Sequence, residues 1–141
     1  MTVQLALSAG LRAQLAREAR ATFPRECCGL IEGSHDGVVV KAEVLHPARN
    51  LSGEADRFEI NPADHFKALH AARERGQSIV GCYHSHPNGR AEPSPRDLDG
   101  AGEAGFVWLI AAIAGDAAPD VRAFVFDGSA FAETPIIEAG R

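Results

Sequence analysis

Apolar positions along the chain follow two periodicities. Val3 to Leu7 alternates with period two, which predicts a short strand. Leu11, Leu15, Ala19 and Phe23 then recur every fourth residue, which predicts a helix capped by Ser8 and closed by Pro24. Two apolar runs, Cys27 to Glu32 and Val38 to Leu45, flank Gly33-Ser34-His35-Asp36-Gly37 and read as a hairpin. The stretch from His46 to Arg57 is polar and loop-like, and Phe58 to Ile60 is expected as a short strand. Asn61-Pro62 is a helix start, a capping side chain followed by proline at the first helical position. Ala63, Phe66 and Leu69 are its expected buried face, and Gly76 its end.

Ser78 to His84 predicts a further strand, followed by a turn-rich loop from Pro87 to Pro93. Ser94-Pro95 then opens a short helix that Gly100 and Gly102 weaken. Phe106 to Ala114, Val121 to Phe126 and Phe131 to Ile137 complete the expected strands. Strands and helices mix without strict alternation. The expected class is therefore α/β (α+β), a mixed central sheet flanked by helices, over residues 1–141 as a single domain.

Composition narrows this picture mainly by exclusion. A chain of 141 residues, 45% hydrophobic and 23% charged, can bury a core without disulfides. The net charge of -5 and the scattered basic residues exclude a nucleic-acid footprint. Three cysteines, two of them the neighbours Cys27 and Cys28, make a poor disulfide framework and fit a reducing cytoplasm. The N-terminus lacks the pattern of a signal peptide, and Phe106 to Ala114 is far shorter than the roughly 20 residues that cross a bilayer. The expectation is a soluble cytoplasmic protein with no membrane partner.

Chemistry concentrates in Gly81-Cys82-Tyr83-His84-Ser85-His86-Pro87 and in Ser94-Pro95-Arg96-Asp97. Residues two apart on a strand share a face, so His84 and His86 present two imidazoles to one place and Ser85 faces away. Pro87 stops the strand there, and Asp97 lies in the first turn of the next helix. Two imidazoles, one carboxylate and an open position match a catalytic zinc site. Ser94-x-x-Asp97 has a second reading as a capping box, in which the carboxylate serves only the helix. Spacing alone leaves these two readings of Asp97 open. His35, His46, His65 and His70 read as surface or boundary residues, as do Glu92, Asp99 and Glu103; Cys82 and Tyr83 read as packing residues.

His84-Ser85-His86-Pro87 followed by Ser94 and Asp97 closely resembles the signature of the JAMM (MPN+) zinc metallopeptidase family, and Pro24-Arg25-Glu26-Cys27-Cys28-Gly29-Leu30 resembles the segment that carries its upstream glutamate in bacterial members. The resemblance implies a JAMM/MPN fold, akin to the cytidine-deaminase architecture, and zinc held by His84, His86 and Asp97. It further implies that Glu26 activates water and that Ser94 helps stabilise the oxyanion. The implied activity is hydrolysis of an amide or isopeptide bond at the C-terminus of a ubiquitin-like or sulfur-carrier protein with a Gly-Gly tail. Asn50 to Phe58 is the expected contributor to a substrate groove.

Two other classes remain in view. Some relatives are non-catalytic MPN scaffolds, although those usually lack the ligands retained here. The same ligand set serves non-haem iron enzymes, but those commonly place the carboxylate two residues after the first histidine. A zinc deaminase would need a Pro-Cys-x-x-Cys pair that this chain lacks. The residues leave the oligomeric state, monomer or homodimer, open.

Overall fold

A computed structural model describes residues 3–139. Its elements are β1 (Gln4–Leu7), α1 (Ala9–Thr22), β2 (Cys28–Asp36), β3 (Val39–Ala48), α2 (Pro62–Glu74), β4 (Ser78–His86), α3 (Pro95–Gly100), β5 (Val107–Ala112), β6 (Asp120–Phe126), β7 (Phe131–Thr134) and β8 (Ile136–Glu138). All eight strands form one sheet in the order β7-β6-β5-β4-β2-β3-β1-β8. The β4–β5, β1–β3 and β1–β8 pairs are parallel and the others antiparallel, so the sheet is mixed as expected. Among the described residues no helix is long and apolar enough to cross a membrane.

The expected strand from Phe131 to Ile137 is split at Pro135, whose missing N–H interrupts a ladder. Its halves lie at opposite edges of the sheet. One residue cannot span a flat eight-stranded sheet, so the sheet coils until its edges meet. There the Pro135 carbonyl accepts a hydrogen bond from the Leu5 N–H at 2.9 Å. The hairpin also differs from expectation. β2 continues through most of the proposed turn to Asp36, so the turn tightens to Gly37 (φ 62°) and Val38 and β3 starts at Val39. Gly33 instead marks a register shift, where an added Cβ would overlap the Lys41 carbonyl oxygen. Phe58 to Ile60 forms no strand, only a bridge between Ile60 and Asn50.

Alternation along β4 separates two layers. Tyr83 joins Leu5, Leu15, Ala19, Leu45 and Leu109 beneath α1, and its hydroxyl donates to Glu18 Oε1 at 2.7 Å. Cys82 faces the other way and packs with Leu30, Ala68 and Trp108 beneath α2. Ser8 caps α1 as expected, accepting from the Leu11 N–H, but Phe23 lies beyond the helix end and is half exposed.

The expected face of α2 is corrected. Its buried residues are Ala68 and Ala72, whereas Phe66 is 72% exposed, Leu69 borders on solvent and Ala63 is exposed. At about 100° per residue, Phe66 lies nearly opposite Ala68. Small side chains let the helix sit close on the sheet, which the larger ones would prevent.

Glu32, absent from the sequence-based candidates, is a fully buried carboxylate at the β2 irregularity. It accepts from Arg75 Nε at 2.8 Å and Nη2 at 2.6 Å, and pairs with His46 Nε2 at 2.8 Å. Because Arg75 is the C-cap of α2, this cluster fastens the helix end to the sheet. The Arg75 hydrogen bonds hold Glu32 below its ordinary carboxylate range against the opposing effect of burial, with help from His46. Glu32→Gln is expected to cost roughly 2 kcal/mol at neutral pH, below the about 3–5 kcal/mol of a fully buried pair because Arg75 is half exposed. A depressed carboxylate stabilises above its unfolded pKa and ceases to do so as pH falls through its folded pKa. Urea titrations should therefore show the gap between wild type and variant closing below about pH 4.

Candidate metal centre

The site is built at the end of β4. Its pleat sends His84 and His86 to the α2 face and Ser85 to the α1 face. Ser85 Oγ accepts from the Cys27 N–H at 2.8 Å, and the Ser85 N–H donates to the Cys27 carbonyl at 3.2 Å. These bonds fix the entry into β2 and with it Glu26, one residue earlier. Beyond Pro87 the chain returns at α3, whose cap is fully formed. The Asp97 N–H donates to Ser94 Oγ at 3.1 Å, and the Ser94 N–H donates to Asp97 Oδ2 at 2.8 Å.

The capping reading of Ser94 and Asp97 is thus correct, and it does not compete with the other. Asp97 Oδ2 also lies 3.2 Å from His84 Nε2 and 3.1 Å from His86 Nε2, and those nitrogens are 2.9 Å apart. All three side chains are buried. Tetrahedral zinc with bonds of about 2.0–2.1 Å sets neighbouring ligand atoms about 3.3–3.4 Å apart. The observed triangle is close to that size, and its donor set is one that zinc takes.

Glu26 lies close to the same histidines. One carboxylate oxygen of Glu26 and one nitrogen of each of His84 and His86 lie within 4.8 Å of one another, so these three residues could also hold a metal ion. Protonation separates the two carboxylates. Burial pushes Glu26 up to about 8, and its Oε1 has no hydrogen-bond partner among the described residues. Burial would raise Asp97 too, but hydrogen bonds with His84, His86 and the Ser94 N–H hold it well below the carboxylate range. Burial keeps His84 low and neutral. Burial also opposes charge on His86, yet Asp97 and the Arg90 carbonyl, 2.8 Å from Nδ1, raise it. In the metal-free site these effects favour an ionised Asp97 at the histidine pair and a protonated Glu26.

Three surrounding residues take roles that the sequence reading did not assign, although Asn50 and Phe58 are the ends of the expected groove segment. Phe58 stacks on His84 with ring centroids 4.4 Å apart, and Trp108 meets the same ring edge-on at 5.7 Å. Asn50 organises the intervening loop: Oδ1 accepts from the Ser52 and Glu59 N–H groups, and Nδ2 donates to the Glu26 and Arg57 carbonyls. No periodicity marks a loop asparagine with such partners. Glu54, Arg57 and Phe58, within the expected groove segment, line a groove of about 1300 Å³ that reaches Asp97 and Trp108. Arg96 of α3 pairs with Glu54 across it at 3.0 Å. His35, His65, His70, Glu92, Asp99 and Glu103 are exposed, and His46 serves Glu32.

Residues 8–127 match the family model described as prokaryotic homologs of the JAB domain. The chain belongs to this family. It is 34% identical over 112 residues to a desampylase of Haloferax volcanii, covering 76% of this chain and 79% of that protein. A Thermus thermophilus protein named "Probable TtuB-protein conjugate cleaving protease" is 40% identical over 88 residues, covering 62% of this chain and about half (53%) of the relative. The crystal structure of a JAB1/MPN domain protein from Archaeoglobus fulgidus superposes with a TM-score of 0.59 at 21% identity, covering 98% of this chain and 100% of that one. The fold of this JAB-family chain is therefore the JAB1/MPN fold.

The raised proton affinity of Glu26 has a measurable consequence in the metal-free protein. Between about 4.5 and about 8 the folded chain retains a proton that the unfolded chain has released, so Glu26 lowers stability as pH rises through that window. Glu26→Gln removes this contribution. Denaturant midpoints of the metal-free proteins should diverge in favour of the variant from pH 5 to pH 8.

Proposed function

We propose that this chain is a zinc-dependent JAMM-type peptidase that cleaves an amide or isopeptide bond at the C-terminus of a ubiquitin-like or sulfur-carrier protein. His84, His86 and Asp97 are its metal ligands, and Glu26 and Ser94 its catalytic groups. The convergence of His84 Nε2, His86 Nε2 and Asp97 Oδ2 within 3.2 Å, with Glu26 alongside, carries this reading. The substrate class follows from the names of the Haloferax and Thermus relatives.

Zinc, when bound, brings the pKa of a water molecule near 7 and polarises a carbonyl. Glu26 supplies the proton traffic. Glu26 favours its protonated form in the metal-free site, but beside a bound cation it would ionise more readily. Its carboxylate would then take a proton from the attacking water and pass it to the departing amine nitrogen. Ser94 Oγ accepts the Asp97 N–H and keeps its own hydrogen free to donate to the carbonyl oxygen as negative charge develops. The groove beside Asp97, walled by Phe58 and Trp108, holds the extended carrier tail. Burial of the histidines and Asp97 excludes bulk water and strengthens these interactions.

Elemental analysis should find about one zinc per chain in the purified protein. Chelation should abolish cleavage of a carrier conjugate, followed by intact mass, and zinc should restore it. Glu26→Gln should retain the metal while cleavage slows by about 10²–10⁴-fold. Wild-type cleavage by that variant would exclude Glu26 as the base. Absence of zinc after reconstitution would favour the scaffold reading.

A further inference from the structure

We propose that Phe58 and Trp108 orient the His84 imidazole by ring contact, in place of the hydrogen bond that orients His86, and thereby set the affinity of the site for zinc. This rests on the metal assignment above and extends it to residues outside the ligand set.

The two histidines are held differently. His86 Nδ1 faces the Arg90 carbonyl at 2.8 Å, the usual outer partner of a metal-binding imidazole. His84 is fully buried, and its Nδ1 has no hydrogen-bond partner among the described residues. The terminal torsion of a histidine is broad and roughly two-fold, so without such a bond the neighbouring surfaces decide where the ring lies. Phe58 covers one face at 4.4 Å with an interplanar angle of 22°. Trp108 stands at 89° to the ring at 5.7 Å and braces Phe58 at 5.7 Å and 67°. Phe131 backs Trp108 at 5.1 Å, so the contact is anchored in β7. Rotation of His84 away from this corner would withdraw Nε2 from the point it shares with His86 and Asp97.

Phe58 is the informative position because it is only partly buried and sits on a loop, so its replacement leaves the sheet core intact. Phe58→Leu keeps an apolar side chain but removes the stacked ring, and Phe58→Tyr restores the ring. Zinc affinity is read by competition with a chromophoric chelator. The emission of Trp108, the one tryptophan in the chain, is followed in parallel as a reporter at the His84 edge. Thermal melts of the metal-free proteins verify folding. Phe58→Leu should raise the zinc Kd by about 10-fold or more, the usual effect of losing an orienting partner. Phe58→Tyr should bind as wild type does, and Trp108 emission should shift with zinc in both wild type and Phe58→Tyr. Wild-type affinity in Phe58→Leu, or equal losses in the Leu and Tyr variants, would overturn the orienting role and leave the metal assignment standing. Failure of wild type to bind zinc would overturn both.

Discussion

A single oxygen, Asp97 Oδ2, joins the parts of this molecule that matter for its chemistry. It accepts the Ser94 N–H that starts α3 and lies within 3.2 Å of both histidine Nε2 atoms at the end of β4. The helix cap therefore places the carboxylate, and the carboxylate closes the triangle. A free surface aspartate would have to give up side-chain freedom to reach this position, whereas the cap has already removed that freedom. The surrounding burial makes the arrangement selective, since it favours neutral His84 and protonated Glu26 while hydrogen bonds keep Asp97 charged.

Much of the remaining fold brings a second carboxyl group to that triangle without letting it merge. Ser85, whose side chain leaves the histidine face, binds the backbone of Cys27 and fixes the chain one residue beyond Glu26. Asn50 holds the Glu26 carbonyl and the loop that carries Phe58. Glu26 thus approaches the histidines from a strand entry and Asp97 from a helix start. The two carboxyl groups differ in protonation because their hydrogen-bond supply differs.

The groove beside the site follows from how the helices meet the sheet. Ala68 and Ala72 let α2 lie close, turning Phe66 outward and leaving Leu69 on the groove wall. The pairing of β7 with β6 and of β6 with β5 sets Phe131 behind Trp108. The aromatic corner against His84 therefore comes from a loop, a central strand and an edge strand that lie far apart in sequence.

By itself the sequence determined most of the strand and helix order, apart from the absent strand at Phe58 to Ile60 and the split at Pro135. It also determined the caps at Ser8, Asn61 and Ser94 and the shared face of His84 and His86. Each of these depends on neighbours within about four residues, through period-two or helical geometry and capping. It left the role of Asp97 divided between cap and site, and Glu26 visible only through family resemblance, because neither spacing nor composition reports a contact between distant segments. Tertiary structure alone decided that Asp97 caps α3 and also lies against both histidines, that α2 buries alanines rather than Phe66, and that Glu32 is a buried anchor. These outcomes depend on which surfaces approach closely enough to exclude water, and only the coiled sheet with its packed helices sets those distances.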